Sequence, residues 1–195
     1  MKCYENTRIS DWAIRQVQQR MVDRHAERTG PLHASEIFQC QRKTVLQRTV
    51  GGPPLSADTI LKFAVGQALQ EFFFGPEEDG VEAYGIILSA DRMEQGNVLE
   101  FKSTRQSYEA APKVDGKAIR GGTKVRFDPA TNPYCHEWIV RCRAYCAAHH
   151  VNKAHIVVFF IFQNQMSAWT LEFTEDELLG AINDIDQRRS EITAH

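Results

Sequence analysis

The spacing of apolar and polar residues changes several times along this chain, and each change marks an element. Ile9, Trp12, Ala13, Val17 and Met21 fall on one face of a helix over residues 8–28, with Ser10 and Asp11 placed to cap its start. Arg15, Arg20, Arg24 and Arg28 decorate the rest, which suits a packing helix with a solvated face, or a contact with a phosphate backbone or a partner. Thr29-Gly30-Pro31 ends it. A second helix opens over His33–Lys43 with Ser35 as its cap, and a third runs from about 57 to 73, capped by Ser56 or Asp58. Tyr84–Ala90 is apolar enough for a buried strand. A Gln95-Gly96-Asn97 turn then leads into Val98–Thr104, whose residues alternate in character as a strand's do. Asn132-Pro133 starts a helix reaching about residue 150. His155–Gln163 is a strand apolar on both faces, and Ser167–Phe173 returns as an edge strand. Thr174 to Glu177 form a capping box for a last helix. This order predicts an α/β fold, a central mixed β-sheet flanked by helices on both faces.

Composition narrows the setting. The chain has 195 residues, 43% of them hydrophobic and 25% charged, which predicts one globular domain over 1–195. Residues 1–30 would be a helical extension and 105–131 a basic loop insertion. No apolar run reaches membrane-spanning length and no signal-peptide pattern opens the sequence. Five cysteines, an odd number, point to a reduced, cytoplasmic location. The net charge of −2 excludes a generally basic nucleic-acid binder, so any such surface must be local. Residues 105–131 supply a candidate: Arg105, Lys113, Lys117, Arg120, Lys124 and Arg126 stand against Glu109, Asp115 and Asp128. A basic loop there could embrace a phosphate backbone, and an ordinary solvated loop is the equal alternative.

Candidate chemistry lies around the hairpin. Glu100 and Lys102 share one side of their strand and Phe101 points to the other. Asp91 sits at the end of the preceding apolar segment. Pairing Tyr84–Ala90 with Val98–Thr104 would bring the two carboxylates and the ammonium together. Carboxylate pairs bind hard divalent cations such as Mg2+ or Mn2+, and the Phe101 carbonyl could add another oxygen. Lys102 could hold or deprotonate a water, or steady charge developing on a phosphorus centre.

The pattern Asp91-x8-Glu100-x-Lys102 resembles the PD-(D/E)xK nuclease superfamily, in particular its RecB-like branch, which includes the CRISPR-associated exonucleases. The resemblance covers roughly residues 33–163. It implies a metal-dependent deoxyribonuclease, with Asp91, Glu100 and Lys102 as catalytic residues and Mg2+ or Mn2+ as cofactor. The substrate it implies is DNA, single-stranded or with free ends, and a protein partner in recombination, repair or a CRISPR complex is a further possibility. Val65-Gly66-Gln67-Ala68-Leu69-Gln70 is similar to the family's Gly-x-x-x-His/Glu motif. It places Gln70 as a further metal contact, with Glu71 as the fallback. Trp138 to Tyr145 is similar to the Gln-x-x-x-Tyr motif, with Arg141 in place of the Gln. Arg141 and Tyr145 are one helical turn apart, and an arginine there could hold a phosphate. Arg42 and Lys43 follow a segment like the family's Cys-Pro-Arg-Lys stretch and could also face phosphate. Cys40 stands where the iron–sulfur members have a cluster ligand. No cysteine follows Cys146, so no cluster is expected, and Cys40 reads as a small buried hydrophobe. A catalytically inactive nucleic-acid or protein-interaction module on the same scaffold is the alternative.

Overall fold

The computed structural model describes residues 15–17, 19–20, 30–51, 56–75, 80–110, 113–114, 117–118 and 124–194, and side chains outside 111–123. In chain order the elements are β1 (Leu32–His33), α1 (Ala34–Ile37), α2 (Gln41–Thr49), α3 (Ala57–Phe74), β2 (Val81–Ala83), β3 (Ile86–Leu88), β4 (Arg92–Glu94) and β5 (Asn97–Thr104). Four short strands follow, β6 (Glu109–Ala110), β7 (Lys113–Val114), β8 (Lys117–Ala118) and β9 (Val125–Arg126). The chain continues with a 3-10 turn at Pro133–Cys135, then α4 (His136–Ala148), β10 (Lys153–Phe160), β11 (Gln165–Glu172) and α5 (Glu175–Thr193).

Strand β5 is the axis. It runs parallel to β10, with Ile156 opposite Glu100, and β10 pairs antiparallel with the edge strand β11. On its other side β5 pairs with β4. The period-two rule sorts its side chains into two layers. Val98 joins Ile156, Val158, Phe160 and the buried faces of α4 and α5. Leu99 and Phe101 join Val157, Leu69 and Phe74 beneath α3, where the Phe74 and Phe101 rings lie 5.3 Å apart. The sheet is thus mixed and covered by helices on both faces. β11 alternates half-buried and exposed residues, as an edge strand covered on one face does.

The hairpin differs from its sequence reading. β3 does not pair with β5; it belongs to a small sheet, parallel to β1 and antiparallel to β2. The arm that folds back on β5 is the three-residue β4. Gln95 (φ 51°) and Gly96 (φ 76°) are both left-handed, the signature of a two-residue type I′ hairpin. This turn sets the register of β4 on β5, Glu94 with Asn97 and Arg92 with Leu99, and the pairing ends at Arg92. Ile86 and Leu88, both fully buried, go to the main core instead.

The predicted His33–Lys43 helix is two helices. His33, not Ser35, caps the first, its N–H donating to the Glu36 carboxylate at 2.9 Å. Cys40 adopts an extended conformation and starts α2, so it is exposed rather than a buried hydrophobe. Cys135, Cys142 and Cys146 lie fully buried in the main core. Residues 105–131 carry antiparallel ribbons, β6 with β9 and β7 with β8, where a loop was expected. The Phe127 N–H donates to the Tyr108 carbonyl at 2.6 Å, and both rings pack on Phe160. β10 stops at Phe160 and β11 begins at Gln165, because Ile161–Gln163 forms a 3-10 turn closed by left-handed Asn164. Thr174 caps α5 through the expected box with Glu177. Of the 8–28 helix, residues 15–17 and 19–20 are helical and the rest lie outside the described residues. No helix among the described residues is long and apolar enough to cross a membrane.

Candidate active site

β5 carries Glu100 and Lys102 to the same side, and the chain leaving β3 brings Asp91 to them. Asp91 is held from two directions: Oδ2 accepts the Phe101 N–H at 2.6 Å and Oδ1 accepts from Gln70 Nε2 of α3 at 2.9 Å. The first bond extends the β4–β5 contact past its last paired residue, Arg92, and fixes the Asp91 side chain on the middle of β5. Lys102 Nζ forms an ion pair with Glu100 Oε1, donates to the Phe101 carbonyl at 3.0 Å and lies 3.9 Å from Asp91 Oδ2. Glu100 is 2% exposed, and its second carboxylate oxygen, Oε2, is buried with no hydrogen-bond partner among the described residues. A buried unsatisfied carboxylate oxygen is costly, which makes this atom the most informative in the site.

The electrostatics follow from burial. Desolvation pushes the Glu100 carboxyl up to about 7; the nearby Lys102 ammonium opposes this, and the Asp91 carboxylate adds to it. Burial also works against the Lys102 ammonium, but Glu100 and Asp91 together outweigh it and hold Lys102 above its ordinary value. Tyr145, 4% exposed, is raised well above the usual phenol range by burial first and by Glu100 second.

These groups form the floor of an open cleft of about 870 Å³ between α3 and α4. Arg141 and Tyr145 line the α4 side, as the spacing predicts. Arg141 is paired with Glu137, and its Nε is buried without a hydrogen-bond partner. Lys43 borders the cleft, whereas Arg42 and Arg105 are exposed away from it. Glu71 is exposed on α3, turned from the side where Gln70 meets Asp91. The backbones of Lys113 and Lys117 lie in the ribbon; their side chains and all of Arg120 lie outside the described residues. Sequence reasoning missed His33, Lys62, Phe63 and Trp138, which also line the cleft. For Phe63 the signal was present: residues 63, 66, 67 and 70 follow helical spacing onto one face.

Among the described residues no three His, Cys, Asp or Glu side chains cluster as a metal site. The donors present are the Asp91 and Glu100 carboxylates and the Phe101 carbonyl. All are hard oxygens, and the orphaned Glu100 Oε2 lacks the partner a cation would supply. They fit a small divalent cation that keeps several waters.

No protein-family model matches the chain. No curated protein matches it either. Among solved structures, that of SSO0001 superposes with a TM-score of 0.58 at 11% identity, covering 95% of this chain and 86% of that one. The alkaline exonuclease LHK-Exo from Laribacter hongkongensis matches with TM-scores of 0.49 (its complex with dAMP, 13% identity) and 0.48 (12% identity), covering 87% of this chain and 91% of that one. At such identities the likeness concerns architecture.

Proposed function

We propose that this chain is a metal-dependent nuclease that hydrolyses phosphodiester bonds in DNA, an exonuclease acting on single-stranded or end-containing molecules. One observation carries the reading: Asp91, Glu100 and Lys102 meet at the floor of an open cleft, with one Glu100 oxygen buried and unpartnered. Asp91, Glu100 and the Phe101 carbonyl would hold Mg2+ or Mn2+. A divalent cation bound there supplies Lewis-acid polarisation of the phosphate and a more acidic water.

The chain's own residues do the rest. Lys102 stays an ammonium, because the two carboxylates hold its proton. It therefore serves as a donor that orients the attacking water or stabilises charge on the phosphorus centre, rather than as a base. Asp91 is fixed in place by the Phe101 N–H and by Gln70, so its carboxylate is preorganised. Arg141, at the cleft wall, is placed to exchange its partner Glu137 for a phosphate oxygen.

The test is degradation of end-labelled single- and double-stranded DNA in Mg2+, Mn2+ or EDTA, beside Glu100→Ala and Lys102→Ala. Metal-dependent cleavage lost in both folded variants is the expected result. DNA bound but never cut by the wild-type protein would overturn the nuclease reading in favour of an inactive binding module.

A further inference from the structure

Helix α3 turns one stripe toward the cleft: Phe63, Gly66, Gln67 and Gln70. Gln70, at one end, bonds Asp91. Phe63 is seven residues earlier, about 10 Å along the helix axis at ~1.5 Å per residue, and is 52% exposed on the wall of a cleft floored by carboxylates. Between them stands Gly66. A Cβ there would lie 3.5 Å from Ser103 Oγ, an ordinary contact, so helix–sheet packing does not require glycine. The missing side chain instead keeps the wall low between Phe63 and the floor.

Helix α4 repeats the arrangement. Trp138, partly buried and also lining the cleft, is seven residues before Tyr145, the buried residue that interacts with Glu100. Two cations border the same space. Lys43 makes no ion pair among the described residues, and Lys62 is paired only with the solvent-exposed Asp58. An exposed aromatic ring beside one cation unpaired among the described residues and one held only by a surface carboxylate is the composition of a single-strand groove, in which bases stack on rings and phosphates meet ammonium groups. Inside a duplex both faces of each base are already covered by neighbours, so only an unpaired base offers its face to Phe63.

We propose that Phe63 is the platform for an unpaired nucleobase next to the reacting phosphate, and that Lys43 and Lys62 take flanking phosphates. The cleft is then built for a single strand. The assignment rests on the nucleic-acid reading of the cleft proposed above, and it is separable from the chemistry by experiment.

Binding of a fluorescent single-stranded oligonucleotide and of a blunt duplex is measured in EDTA for wild type, Phe63→Ala, Phe63→Leu and Phe63→Trp. The single-strand Kd is expected to rise about tenfold in the Ala and Leu variants and to recover in the Trp variant, while the duplex Kd moves no more than about twofold. Equal single-strand binding by wild type and Phe63→Ala would overturn the proposal. So would full recovery by leucine, which has bulk without a π-face, or equal losses on both substrates. Absent cleavage with Phe63-dependent binding intact would overturn the nuclease reading and leave this one standing. Normal cleavage with no Phe63 dependence would do the reverse.

Discussion

At the scale of single residues, the site is a balance between burial and charge. Glu100 carries its charge against desolvation, so a neutral isostere relieves the folded state while removing a carboxylate that the proposed chemistry needs. Glu100→Gln is expected to lower cleavage on the order of a thousandfold. At pH 8 without divalent metal it should unfold no earlier than wild type, because burial outweighs the attraction of Lys102 in setting the Glu100 carboxyl near 7. Calorimetry decides this, and a clear drop in Tm would show that the Lys102 pair dominates. Gln70 offers the converse test. Its amide donates to Asp91, so Gln70→Glu sets a third carboxylate against Asp91 in the metal-free protein and adds a hard ligand to the metal-loaded one. Mn2+ binding by titration calorimetry should tighten about tenfold, and unchanged affinity would mean that residue 70 does not reach the cation. Glu100 and Lys102 were legible in the sequence because a strand's alternation puts them on one side wherever the strand lies, whereas Asp91 reaches them through a side-chain hydrogen bond and not through the expected strand pairing. Helical spacing puts Phe63 on one face with Gln70, but spacing does not say whether that face meets core or cleft, and the same holds for Trp138.

At the scale of elements, the two-residue turn at Gln95–Gly96 sets the register of β4 on β5. Gly96 has φ 76°, and a Cβ there would meet nothing within 4 Å, so Gly96→Ala is a test of backbone strain alone. It should cost about 1 kcal/mol in urea unfolding, with cleavage by the folded protein unchanged; a loss of several kcal/mol would point to a shifted register. Thr174→Ala removes the cap that accepts the Glu177 N–H and should also cost about 1 kcal/mol. Capping boxes and apolar runs were readable because their chemistry is local: Ser56, Thr174 and the strand through Val157 stand where the sequence places them. The partner of β5 was not, because pairing is decided by competition. Ile86 and Leu88 are drawn into the main core with β1, and the link between Asp91 and β5 is a side-chain hydrogen bond, which no periodicity reveals. Cys40 was misjudged for a similar reason. Small apolar residues are usually buried, but this one occupies the break between two helices.

At the scale of the whole molecule, the buried site ties stability to pH and, under the proposed function, to metal. Two carboxylates with shifted values pull the profile in opposite directions. Glu36 is pushed up by burial, but its bonds to Arg48 and to the His33 N–H outweigh that and hold it below the ordinary value. Its contribution is present above the unfolded carboxylate range and is lost as pH falls through the lowered value. Glu100 has the opposite sign. Its folded value of about 7 lies above the ordinary glutamate value of 4.5, so the folded state holds that proton more tightly than the unfolded chain. The stability it confers is complete below about 4.5 and is lost as pH rises through 7. Metal-free protein should therefore be most stable near the lower end of that window. It should lose on the order of 1–3 kcal/mol by pH 8, roughly 3–10 °C in Tm for a chain of this length. If the proposed metal site is correct, a divalent cation changes the slope by binding the ionised carboxylate: affinity should rise as Glu100 deprotonates, and saturating Mn2+ should restore Tm at pH 8 far more than at pH 5. Scanning Tm against pH with and without Mn2+, for wild type and Glu100→Gln, reads both effects at once. A flat metal-free profile between pH 5 and 8, or a Mn2+ effect that is the same at both ends and survives in Glu100→Gln, would overturn the reading of Glu100 as the buried charge and the proposed metal ligand.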